Sequence, residues 1–126
     1  QINAGVTSTS PTAGIGYSTG SGGAVTQATS RSTAVTLNTV TGTITGNNTS
    51  LAAATRASFT VNNSSVTIRD TVLLTVVSGP TADTSHYFVD GIANGSFVVT
   101  AANLNAATAD TGTPIINFTV IRGANA

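Results

Sequence analysis

Apolar and polar residues alternate with a period of two along much of this chain. The pattern is plainest in Arg56–Asn62, where Ala57, Phe59 and Val61 fall on one face and Arg56, Ser58, Thr60 and Asn62 on the other. Successive strand residues point to opposite sides, so this is a half-buried strand. Asn62-Asn63-Ser64-Ser65 interrupts it, and those side chains favour a tight turn through local backbone hydrogen bonds and tolerance of positive φ. Thr71–Val77 follows a different rule. Val72, Leu74 and Val76 share one face, while Leu73 and Val77 lie on the other. A strand apolar on both faces is covered on both. The second cover is either a loop of the same chain or another subunit.

Shorter runs complete the series. Ala24–Gln27, Ala34–Asn38, Gly42–Gly46, Ser85–Val89, Ser96–Ala101 and Pro114–Arg122 all read as strands. In the last, Ile116, Phe118 and Val120 share one face, and Ile115 and Ile121 make the other apolar. Asn94-Gly95 is a strong turn dipeptide, and Gly79-Pro80 is a breaker. Leu51–Ala54 is too short for an independent helix. Eight short strands separated by turn signals predict an all-β fold, an eight-stranded antiparallel β-sandwich. The strand count suggests a jelly-roll-like topology, with an immunoglobulin-like sandwich as the alternative. No fixed-period repeat indicates a solenoid.

Residues 1–23 stand apart. Gln1–Gly23 is rich in Gly, Ser and Thr, has no periodicity, and contains few core formers. It is expected to be an extended N-terminal arm ahead of a β-domain spanning 24–126. Ile2, Val6, Ile15 and Tyr17 are its candidate anchors for a groove on a neighbouring molecule. Leu73, Val77, Ile115 and Ile121 are the candidate oligomer interface.

Composition narrows the function. The chain has 126 residues, no Cys, no Lys, no Glu, and a formal net charge of zero. Charged residues make up 6%, against about 25% in ordinary domains. A nucleic-acid-binding surface needs a basic stripe, and none is present. No apolar run is long enough to span a membrane as a helix, and no basic-then-apolar signal pattern opens the sequence. A neutral Thr/Ser/Asn/Ala surface suits a protein that sits among many neighbours. Sequons such as Asn47-Asn48-Thr49 are expected by chance in a chain this rich in Asn and Thr.

Reaction chemistry finds little support. His86 is the only His, and one His without Cys or Glu makes a poor transition-metal site. Alternation puts His86, Phe88 and Asp90 on one face and Tyr87 and Val89 on the other. Paired carboxylates would have to come from Asp70, Asp83, Asp90 and Asp110, and nothing in their spacing brings two together. No Ser combines the flanking glycines of a nucleophile elbow with a strand before it. The Thr-x-Thr run Thr39–Thr45 could bind a crystalline surface only as part of a regular repeat, and it occurs once. Thr is otherwise a good residue for a half-exposed strand. The chain is expected to be no enzyme, to carry no metal and to need no cofactor.

Gly20–Asn38, GSGGAVTQATSRSTAVTLN, resembles a module common in virion structural proteins of tailed bacteriophages. Later segments agree in order: Phe59–Ser64 with Val66, Asp70-Thr71-Val72, Gly95-Ser96-Phe97, and Ile116–Ile121. The resemblance runs from about Gly20 to Arg122, and its most specific part is Val25–Thr33, VTQATSRST. Ala34 stands where related sequences often have Gly, and the Gly79–Ser85 and Asn103–Thr113 loops fit loosely.

This resemblance implies a small virion protein. With its arm and no fibre-forming segment, the chain looks most like a capsid decoration, or cement, protein. Such a protein would bind the outer surface of the head and clamp adjacent major capsid proteins as a homo-oligomer, with a trimer the expected form. Neither nucleic acid nor membrane is an expected partner. The alternatives are a fibre or tailspike head domain that binds host surface glycan, and a secreted bacterial adhesion module.

Overall fold

A computed structural model describes residues 5–124. Its eight strands are β1 (Gly22–Thr26), β2 (Val35–Thr36), β3 (Thr41–Thr45), β4 (Arg56–Asn62), β5 (Thr71–Ser78), β6 (Ser85–Ala93), β7 (Ser96–Asn103) and β8 (Ile115–Ile121). No helix is present among the described residues. The strands form two four-stranded sheets. Sheet I has the order β1-β3-β8-β5 and sheet II the order β2-β4-β7-β6.

One core lies between the sheets, in a sandwich-like arrangement. Sheet I contributes Ile44, Val72, Phe118 and Val120, and sheet II contributes Val35, Phe59, Val61, Phe97 and Val99. Phe97 and Phe118 meet across it with ring centroids 5.4 Å apart and planes tilted by 57°. The faces assigned from alternation in β4 and β8 are the faces that are buried.

The pairing corrects the antiparallel expectation. β1 runs parallel to β3, with Gly22 opposite Thr41, and β2 runs parallel to β4, with Val35 opposite Val61. The cause is the path of the chain. From β1 to β6 each connection crosses to the other sheet. Two crossings return the chain to its first sheet in its original direction, so strands two apart in sequence run the same way. β8 then inserts antiparallel between β3 and β5, and β7 inserts antiparallel between β4 and β6. The described residues thus form an all-β fold of eight strands in two mixed sheets. The two parallel pairs depart from a fold built only of antiparallel strands.

The Asn/Ser break after β4 is therefore a crossover between sheets. Asn63 is fully buried and donates from Nδ2 to Thr39 O (2.7 Å), while its Oδ1 accepts the Ser65 N–H (2.9 Å). Among the described residues β6 and β7 form the one sequence-adjacent hairpin, turning at Asn94-Gly95 with Gly95 at φ 83°. β6 runs past the expected end at Val89 because a bulge between Val89 and Gly91 keeps it in register with β7. A second bulge in β5 sets Val77 and Ser78 beside Ile115.

Candidate binding face

Register defines the outer face of sheet I. Thr41, Asn117 and Leu73 lie on it, because Thr41 pairs with Thr119, Thr43 with Asn117, Leu73 with Thr119 and Thr75 with Asn117. Side chains one step away, such as Ile44, Phe118 and Val72, point into the core. The face carries no charged side chain along these pairings. Its hydroxyls bond across strands. Thr41 Oγ1 donates to Phe118 O (2.9 Å) and lies 3.2 Å from Thr119 Oγ1, and Thr43 Oγ1 donates to Asn117 Oδ1 (2.8 Å). The Thr-x-Thr run is thus one row of a polar surface, with apolar Leu73 and Ile121 beside it.

The segment leading into β1 returns over this face. Ile15, Gly16 and Tyr17 line an open groove of about 520 Å³ together with Leu73, Asn117 and Ile121. The Tyr17 hydroxyl donates to the backbone carbonyl of Val120. The seat is only partly filled. Ile15 remains 72% exposed, Tyr17 44%, and Leu73 and Ile121 each 52%. Two of the four arm anchors, Ile15 and Tyr17, and two of the four interface candidates, Leu73 and Ile121, therefore share one groove. Ile115, half-buried, and Val77, exposed, lie at the opposite end of the β5–β8 pair. Val6 is exposed and outside the groove, and Ile2 lies outside the described residues.

The β6 side of sheet II presents a second surface. His86 and Phe88 are exposed, whereas Tyr87 and Val89 pack against the core. Asp90 accepts a hydrogen bond from Thr100 Oγ1 (3.0 Å), and Thr100 Oγ1 lies 2.7 Å from Ser58 Oγ. Among the described residues, no group of three or more His, Cys, Asp or Glu could hold a metal ion.

Sequence reasoning missed a buried polar network beneath the loops. Arg31 is buried and donates to Tyr87 Oη (2.9 Å), Asp110 O (3.1 Å), Gly112 O (3.0 Å) and the carbonyl of Thr49. Its guanidinium lies 3.5 Å from Asp110 Oδ2. Asp110 Oδ1 accepts the N–H groups of Thr81 (2.9 Å) and Gly112 (3.0 Å). Burial pushes the Asp110 carboxyl up, but nearby Ser85, the two backbone donors and Arg31 outweigh it and hold the pKa below the usual carboxylate range. Ser85 Oγ and Asp110 Oδ2 are both buried without a hydrogen-bond partner, so Arg31 is the charge that faces Oδ2. Burial also pushes the Tyr87 phenol up to about 12, against the opposing pull of Arg31.

Gln27 joins the same region. Its Nε2 donates to Thr33 O (2.8 Å), and its Oε1 accepts the Asn47 N–H (3.0 Å). This explains the specific order VTQATSRST, in which Gln27 and Arg31 are buried anchors for loops. That order was the available signal.

The other ion pair joins Arg122 to Asp70 at 2.7 Å. The Thr67 N–H lowers the Asp70 pKa most, burial opposes it, and the Gly123 N–H and Arg122 lower it further. Both ion pairs among the described residues hold loops and strand ends in place. Arg122 also lines the groove beneath Ile15–Tyr17.

The chain matches no family model, no curated protein and no solved structure.

Proposed function

We propose that this chain is a phage capsid decoration, or cement, protein acting on the outer surface of the head. The observation that carries this reading is the uncharged outer face of sheet I, where threonine hydroxyls and the apolar groups of Leu73 and Ile121 lie side by side next to an arm whose side chains are exposed. The resemblance of Gly20–Arg122 to tailed-phage virion modules supplies the setting. In this reading the face, with Leu73, Val77, Ile115 and Ile121, makes a homo-oligomer, a trimer. The exposed part of the arm around Val6, continuing to Ile2, clamps adjacent major capsid proteins. Individually weak contacts suffice on a lattice, because contacts linked in one subunit act at high effective concentration. A jelly-roll-like body with an extended arm is the corresponding architecture.

The test is co-sedimentation of the purified chain with undecorated phage heads, with and without residues 1–14. Saturable binding at a fixed ratio to major capsid protein, weakened by the truncation, is the expected result. No binding at any ratio overturns the proposal.

A second reading is favoured by one observation, the exposed Phe88 beside His86 and Asp90 on β6. Sugars stack on exposed aromatic faces, so this surface suits a fibre or tailspike head domain that binds host glycan. Retention on host surface polysaccharide, abolished by Phe88→Ala and accompanied by no capsid binding, would select it.

A further inference from the structure

We infer that the Ile15–Tyr17 segment is an exchangeable strap, which seats on its own sheet in an isolated chain and on the same groove of a second copy when copies are crowded. Three observations support this. The seat is real but slight, consisting of one hydrogen bond from Tyr17 to Val120 O and a groove of about 520 Å³ that leaves Ile15 mostly exposed. The link to the body is short and glycine-hinged: the Ser21 N–H bonds Ser18 O (3.2 Å), and Gly20 sits at φ 91° in the turn that reverses the chain into β1. Opened, the five steps from Tyr17 to Gly22 reach roughly 17 Å, enough to cross to an adjacent molecule. The surface around the groove is also self-compatible. It has hydroxyls and an amide, each able to donate and accept, and its one charged lining residue, Arg122, is already paired with Asp70 at 2.7 Å.

Exchange of identical elements preserves every contact of the seat, so the balance is set by concentration. A short tether holds its own strap at an effective concentration on the order of millimolar. Dilute chains therefore keep the strap to themselves. Copies held side by side present the neighbouring groove at comparable concentration, and the straps cross. This inference needs no capsid and is tested without one, so its failure is distinct from failure of the cement reading.

The chain has no cysteine, which makes cross-linking clean. Gly16→Cys introduces a Cβ with nothing within 4 Å, and Thr75→Cys replaces an exposed groove residue, so both variants should fold. The two single variants are mixed from micromolar to about millimolar concentration and treated with a short bis-maleimide. The expected product is a mixed 16–75 dimer whose yield rises with concentration and falls at least ~fivefold when Ile15→Ser and Tyr17→Ser are added to the Gly16→Cys chain. The proposal is overturned if no mixed dimer forms while a chain carrying both cysteines cross-links to itself. It is equally overturned if dimers form only through 16–16 or 75–75 links, because the copies then associate without exchanging straps.

Discussion

Replacing Arg31 with Ala should be among the most damaging single changes in this protein. The substitution removes the cation 3.5 Å from a fully buried Asp110 and strips donors from the carbonyls of Thr49, Asp110 and Gly112 and from Tyr87 Oη. Removing one partner of a buried pair costs about 3–5 kcal/mol, because the other charge is left uncompensated. A domain of this size has only about 5–15 kcal/mol in total. With an unfolding entropy of about 2.1 cal/mol/K per residue, that loss lowers the thermal midpoint by roughly 11–19 °C. The assay is urea and thermal unfolding followed by circular dichroism, repeated in an Asp110→Asn background. There Oδ1 still accepts from Thr81 and Gly112 but no carboxylate is stranded, so Arg31→Ala should cost at least about 1 kcal/mol less. A loss below about 1 kcal/mol for Arg31→Ala alone, or strict additivity in the double variant, would refute the network as a stabilising unit.

Three further outcomes are expected. Phe118→Ala removes one ring of the pair that joins the sheets and should cost about 3–5 kcal/mol in urea unfolding; a loss under about 1 kcal/mol would mean the sheets do not share this core. Gly79→Ala should destabilise by at least ~2 kcal/mol, since Gly79 has φ 107° and an added Cβ would sit 1.7 Å from Thr113 O; a neutral result would contradict that close backbone approach. Asp70 and Asp110 both titrate below the usual carboxylate range when folded. Their contribution is therefore complete above the unfolded value of about 3.9 and fades as pH falls through the lower folded values. The urea midpoint should be level with respect to these groups from about pH 5 to 8 and drop below about pH 4, and a midpoint that rises on acidification would contradict both assignments.

The strands were legible because each is a local pattern. All eight follow from alternation and breakers, and the buried faces of β4 and β8 are those that Phe59, Val61, Phe118 and Val120 define. Pairing was not legible, since nothing local in Gly22–Thr26 says that its partner is Thr41–Thr45 running the same way. That information lies in the crossings between sheets, which depend on loops such as Asn62–Ser65 reading as turns whether they close a hairpin or bridge a core. The site shows the same division. Ile15, Tyr17, Leu73 and Ile121 were identifiable as apolar residues without a local partner, but their meeting in one groove is a tertiary fact. Arg31 and Asp110 lie 79 positions apart, and nothing local to either residue names the other as its partner.

The placement of β7 and β8 governs when this protein can exist as it is made. Before Ile115–Ile121 emerges, β3 and β5 have no neighbour between them, and sheet I is two separated pieces. Before Ser96–Asn103 emerges, β4 and β6 are in the same position. A growing chain thus carries the apolar run of β5 with an open edge for the whole interval needed to synthesise about forty more residues. Long-range closure of this kind is slow, and exposed apolar edges are the usual point of entry for aggregation. The scarcity of charge that suits the finished surface leaves the unfinished chain with few charged residues to keep such edges apart.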